Sequence, residues 1–139
     1  WREVESLQRT GCEIGSHTVT HRDLSEIGLA DAEGEITDSK RMLEDRLGAP
    51  VDFFAYPYGR VGDSARQLIQ AAGYRAACAT AAGFITPDAD PYRLCRVEVA
   101  GTDSLRGFKH KLEFGFNKFT STDLLRYYAR RVAAKALGN

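Results

Sequence analysis

From Cys12 to Ala100 short apolar runs alternate with stretches of helical periodicity, and glycine or proline punctuates nearly every change. "CEIGS" (12–16), "VDFFAY" (51–56), "YRAACAT" (74–80) and "LCRVEVA" (94–100) read as strands. Between the first two, Ala32, Ile36, Ser39, Leu43 and Leu47 recur at helical spacing, with charges opposite, from about Asp31 to Leu47. Gly48 and Pro50 stop that helix. Asp63 or Ser64 is placed to cap a second helix over "ARQLIQAA", which Gly73 closes. Strand, helix, strand, helix, strand is the pattern of βαβ units, so an α/β fold with a parallel sheet is predicted. Val4 and Leu7 in a charged background, closed by Gly11, suggest the end of one further amphipathic helix ahead of it.

A chain of 139 residues fits one core of ordinary size. Its 43% hydrophobic and 27% charged residues are those of a globular protein. Formal net charge is zero, so nothing global argues for a nucleic-acid partner. The zero conceals an asymmetry. Residues 106–139 carry eight Lys and Arg against two acids, a balance of +6, and residues 1–105 carry the opposing −6. Cys12, Cys78 and Cys95 are odd in number and lack CxxC spacing. They make neither a disulfide framework nor a thiolate zinc site and read as free thiols, which suits a reducing compartment. No run of eighteen apolar residues is present to span a membrane. The chain opens on Trp1 inside a helical pattern, with no signal-peptide features, and reads as a piece of something longer.

The last third changes character. Asp103 or Ser104 is placed to cap a helix through Lys111, and "LEFGFNKF" is aromatic-rich. A final helix from Thr120–Asp123 puts Leu125, Tyr128, Ala129, Val132 and Ala136 on one face, with Arg126, Arg130, Arg131 and Lys135 mostly elsewhere. The plain reading is a surface helix docked by its apolar stripe; the sharper one is a basic helix at anionic lipid or polysaccharide. Residues 106–139 are therefore separated from 1–105 as an aromatic and basic helical extension.

Two of the three histidines, His17 and His21, stand four apart in "GSHTVTH", directly after the first predicted strand. In parallel α/β folds binding groups collect on loops at the C-terminal strand ends, so this loop and "YPYGR" after "VDFFA" would face one pocket. Neutral imidazole suits zinc, but a hydrolytic zinc site wants three protein ligands and an open position. The pair is one ligand short. Alone, HxxxH describes scattered surface or capping histidines as readily as a metal site, and "YPYG" is equally a proline turn with packed aromatics.

"GCEIGSHTVTHRDLS", "FFAYPYG" and "AAGYRAACATAAG", in this order, resemble the polysaccharide deacetylase (NodB-homology) family of carbohydrate esterases, in its "FAYPYG" branch. The resemblance runs from about residue 1 to 105 and implies a deformed (β/α) barrel, here partial, that removes acetyl groups from N-acetylated glycans. It implies a divalent metal, zinc first, held by His17 and His21, with Thr18 and Thr20 bracing the loop. By the same resemblance the backbone N–H of Tyr58 helps hold the tetrahedral oxyanion, and Tyr56, Pro57 and Gly59 form the substrate-binding turn around it. A cation there acts as Lewis acid and lowers the pKa of the attacking water.

Three departures accompany the likeness. The family's aspartate pair, giving base and third ligand, lies well upstream of the histidines, and none of the sixteen residues before His17 matches it. Ala55 stands where other branches carry arginine, and the late motif ending in a general-acid histidine is absent. His110 lies well beyond that region and reads as a surface residue. The chain thus looks like the C-terminal portion of a deacetylase domain, weak or inactive by itself. Its sheet edges would be open, which leaves room for a homo-oligomer. The rival reading is a non-enzymatic carbohydrate-binding or scaffold domain that keeps the fold, with Tyr56, Tyr58, Phe84 and "FGFNKF" stacking on sugar rings. Cytoplasm and bacterial cell envelope both stay open as locations.

Overall fold

The computed structural model describes residues 1–116 and Leu125, and these fall into two compact units. The first comprises Trp1–Thr80 with Thr86–Leu94, and the second Ala81–Ile85 with the chain from Cys95 onward.

The first unit is built on parallel pairing. Strands β1 (Phe53–Ala55) and β2 (Ala76–Cys78) pair in parallel, with Phe54 opposite Ala77. Helix α3 (Asp63–Ala71) connects them, giving the expected βαβ unit. The outer two predicted strands shrink to single bridges. Ser16 bridges Phe54, donating Ser16 N–H to Phe53 O (2.8 Å) and accepting from Ala55 N–H (2.9 Å). Leu94 bridges Cys78 in the same sense. The α/β class and parallel order follow the sequence, while among the described residues the regular sheet has two strands and no barrel is closed. Among the described residues, "CEIGS" and "LCRVEVA" each pair on one side, through a single bridge.

Helix α2 (Leu29–Leu47) starts two residues before the predicted Asp31 and ends at Gly48, whose φ of 62° is the left-handed cap glycine tolerates. It turns Ala32, Ile36 and Ser39 into a core that includes Phe54, Tyr56, Ile69, Tyr74 and Ala77. The Phe54 ring meets Tyr56 and Tyr74 edge to face at 5.4 and 5.3 Å, a favoured aromatic geometry. Ser39 is paired rather than stranded: its hydroxyl meets that of Ser16 at 2.7 Å, which ties α2 to the first bridge of the sheet. Helix α1 (Arg2–Arg9) buries none of its residues and reaches α2 through Glu5–Arg46 at 2.7 Å. Neither Asp63 nor Ser64 caps α3; Gly62 occupies the cap without a side-chain bond, and Asp63 pairs with Arg93 instead.

In the second unit, α4 (Leu105–Phe114) is capped as predicted by Ser104, whose hydroxyl accepts from Gly107 N–H at 3.1 Å. It runs three residues past Lys111. Asp103 receives Lys111 Nζ at 2.7 Å. The final predicted helix lies outside the described residues, Leu125 apart. No helix of the described chain is long and apolar enough to cross a membrane.

Candidate functional site

Because Ser16 bridges β1 in parallel, the segments that follow the two leave the sheet at the same end. One is the histidine turn, residues 17–21, and the other the 3-10 turn Pro57–Gly59. They meet. The rings of His17 and His21 stand edge to face with centroids 4.7 Å apart, and the His21 ring meets that of Tyr58 at 4.9 Å.

The His17 ring is held by backbone, and the His21 main chain by a side chain. His17 Nδ1 lies 2.7 Å from Ala55 O at the end of β1. A carbonyl oxygen only accepts, so Nδ1 is the donor here, and in the neutral ring Nε2 is the nitrogen left for a ligand role. The Thr18 hydroxyl donates to His17 O (2.5 Å) and accepts from His21 N–H (3.0 Å), closing the turn on itself. Thr20 braces it from outside: its hydroxyl donates to Glu35 on α2, and Val19 and Thr20 N–H each reach Glu35 Oε2 at 2.8 Å. Burial pushes the Glu35 carboxyl up, yet the bonds from Thr20 and Val19 outweigh it and hold it below the usual glutamate value.

Strain is concentrated here. Thr18 (φ 66°), His21 (φ 60°) and Tyr58 (φ 56°) are the non-glycine residues with positive φ among those described. Left-handed backbone is costly outside glycine and persists where surroundings over-determine it, commonly at functional sites. Gly59 (φ 68°) is fixed for a second reason: a Cβ there would stand 2.0 Å from the Thr80 hydroxyl oxygen just past β2. Pro57 is buried beneath the turn. Tyr58 is 61% exposed.

Tyr56 departs from its expected part. Its ring is fully buried at 0% exposure, and its hydroxyl donates to Tyr92 O at 3.0 Å. Burial pushes that phenol up to about 12. A ring with both faces in the core stacks on no sugar, so the stacking expected of Tyr56 is corrected and Tyr58 is the exposed aromatic of the pair. His110 is half-buried on α4 in the second unit, 6.0 Å from the Phe114 ring.

The donor chemistry fits two positions around a zinc ion, as two neutral imidazoles on one turn should. Among the described residues no group of three His, Cys, Asp or Glu is gathered to hold one. Asp23, the nearest carboxylate in sequence, is engaged: it accepts from Ser25 N–H (3.0 Å), Ser25 Oγ (2.6 Å) and Arg60 (2.6 Å). Those bonds, Ser25's first, hold its carboxyl below the ordinary range. Through Arg60 it also clasps the histidine turn to the Pro57–Gly59 turn. Beside His17 a cleft of about 290 Å³ opens, lined by Trp1, Gly15, Thr18, Val19 and Met42 among others.

Sequence reading missed Glu35, Thr80 and the Asp23–Arg60 pair. Glu35 had a signal, since it follows Ala32 by three and precedes Ser39 by four, and so shares the buried face of α2. The other two join segments far apart in the chain, and no local spacing announces them.

Residues 1–77 match the family described as polysaccharide deacetylase. The chain is 26% identical over 98 residues to YxkH of Bacillus subtilis (strain 168), a protein named as a polysaccharide deacetylase, covering 70% of this chain and 35% of that one. Its fold is similar to BC0361, a polysaccharide deacetylase from Bacillus cereus, at a TM-score of 0.72 and 30% identity, over 80% of this chain and 35% of that. It is also similar in fold to the Streptococcus pyogenes deacetylase PplD, determined with acetate, at a TM-score of 0.73 and 24% identity over 78% of this chain and 48% of the other. The chain thus spans a third to a half of the length of these relatives.

Proposed function

This chain belongs to the polysaccharide deacetylase family, and from that premise we propose that it carries the metal-binding and oxyanion-binding part of a hydrolase acting on N-acetylated glycans. The observation that carries the reading is the convergence of His17, His21 and Tyr58 at one end of a parallel sheet, at ring separations of 4.7 and 4.9 Å. A divalent cation bound there, zinc by its donors, supplies Lewis acidity toward the acetamide carbonyl and lowers the pKa of water.

The residues of this chain have distinct parts. His17 offers Nε2, its ring oriented through Nδ1 by Ala55 O. His21 offers its second imidazole from a backbone held by Thr18. The Tyr58 N–H, in the left-handed turn fixed by Pro57 and Gly59, donates to the oxyanion that forms as the amide carbon becomes tetrahedral. Tyr56 contributes to substrate binding by anchoring that turn in the core. The third ligand and the base are supplied from outside the described residues, as the family's upstream aspartate pair implies, and the two strands belong to a partial deformed barrel. Among the described residues the segment around Ser16 is bridged to β1 on one side, and a homo-oligomer that pairs the other side is part of the proposal.

Zinc titration by calorimetry on wild type and His17→Ala tests the centre. Binding should be weak in wild type, for want of a third ligand, and lost in the variant. Equal affinity in both removes the histidines from the site, and a glycan-binding domain without metal chemistry becomes the better account.

A further inference from the structure

Within the histidine turn one side chain alone, that of Thr18, bonds the turn to itself. Residues 17–21 hold two left-handed non-glycine residues, Thr18 and His21. Chain in that state relaxes unless something rigid holds it from outside.

We propose that Glu35 is the positioning residue of this turn, a carboxylate on α2 whose bonds to Val19 and Thr20 fix where the two imidazoles stand. Its side chain meets the chain midway between His17 and His21, taking both backbone N–H groups at 2.8 Å on Oε2 and the Thr20 hydroxyl on Oε1. Both oxygens are used, so the carboxylate fixes orientation as well as distance. It stands on a rigid base. Glu35 is 9% exposed, and its neighbour Ile36 is fully buried in the core. One turn further along α2, Ser39 bonds Ser16, the residue that precedes His17. Helix α2 therefore grips the turn at its entry and at its middle, while Ala55 O holds the His17 ring from β1. The centre is set by a helix that contributes no ligand to it. This inference rests on the reading of His17 and His21 as metal ligands, but its geometry does not require a metal to be bound.

The test separates the two. In the metal-free chain, proton–proton contacts between the His17 and His21 rings, and between His21 and Tyr58, are followed by NMR in wild type, Glu35→Ala and Glu35→Gln. The Phe54–Tyr74 ring contact, 5.3 Å apart in the core, reports folding. Glu35→Ala should lose both site contacts and keep the core one. Glu35→Gln retains one carbonyl oxygen for the two N–H groups and should recover most of them. In a parallel zinc titration Glu35→Ala should bind roughly 10–100-fold more weakly, the usual effect of removing a group that orients a ligand. Unchanged site contacts in a folded Glu35→Ala overturn the proposal. Should that variant not fold, Glu35→Asp decides, because its shorter side chain withdraws the carboxylate from both N–H groups and the hydroxyl: weakened His17–His21 contacts support the proposal and unchanged ones overturn it. A wild type that takes up no zinc, while its ring contacts respond to Glu35, defeats the metal reading and leaves the positioning role standing.

Discussion

At Tyr58 and Gly59 the chain makes a turn that few residue pairs would accept. Tyr58 sits at φ 56° and Gly59 at φ 68°, and Thr80 fills the space where a Cβ on Gly59 would go. Gly59→Ala must therefore bear both a left-handed backbone and an overlap with Thr80, or else move the turn. A loss of roughly 1–3 kcal/mol from overpacking is expected, with the backbone penalty added to it. Gly62 is the internal control, with φ −86° and nothing within 4 Å of the place a Cβ would take. Because Gly62 is the N-cap of α3, where alanine is disfavoured, Gly62→Ala should cost about 1 kcal/mol or less, well short of Gly59→Ala. Urea unfolding of both variants checks this, and equal midpoints would mean the turn yields freely. Legibility at this scale followed distance along the chain. "HTVTH" and "YPYG" are local and could be read as strings, including the bracing threonines. That Tyr56 is core while Tyr58 is exposed depends on the left-handed turn that begins after β1, and the sequence "AYPYG" does not say which of its rings that turn buries.

At the scale of elements, hydrophobic periodicity was informative wherever a helix has one buried face. The α2 stripe and its glycine stop were legible because 3.6-residue spacing and a left-handed cap are local properties. The outer strands were not, since pairing with β1 and β2 extends over a single bridge in each, and an apolar run looks the same however far its pairing runs. Asp63 read as a cap and became a partner of Arg93 for a related reason: capping is a local prospect that a tertiary ion pair can displace. One more such pair links α3 to the turn Pro91–Arg93. Asp90 accepts from Arg66 Nε at 2.6 Å and Nη2 at 3.3 Å, and from Tyr92 N–H at 2.9 Å. Arg66's bonds, then Tyr92's, hold the Asp90 carboxyl below its ordinary value. A carboxyl depressed in the folded state adds stability that is full above its unfolded pKa, about 4, and is lost as pH falls through the folded one. Wild type should thus lose stability below about pH 4, and Asp90→Asn should lose less across the same interval. Because both partners are about a third exposed, solvent screens the pair and the difference will be modest. Urea midpoints near neutrality and near pH 3 measure it; parallel curves for the two proteins would remove Asp90 from the acid response.

For the molecule as a whole, the question is whether these residues suffice for turnover. Hydrolysis of an acetamide needs a base to take the proton of the attacking water, and a positioned one typically contributes about 10²–10⁴-fold. Asp23 is the carboxylate closest in sequence to the histidines, and it is a poor base: three donors occupy it and its carboxyl is held below the ordinary range. Glu35 is likewise committed to Val19 and Thr20. With no third ligand gathered beside the histidines among the described residues, the cation that would polarise the carbonyl is also loosely held. The chain alone should therefore release little or no acetate from N-acetylated chitooligosaccharides. Joining it at Trp1 to the upstream portion of a family member that carries the aspartate pair should bring metal-dependent release, lost again in His17→Ala. Acetate assays on the two proteins at equal zinc decide the matter. If the 139 residues by themselves match the joined protein, the base lies within them, and Asp23→Asn is the first variant to make. If neither acts on any acetylated sugar while both still bind one, the fold serves here to hold a glycan, and the strained turns at His21 and Tyr58 shape a binding surface.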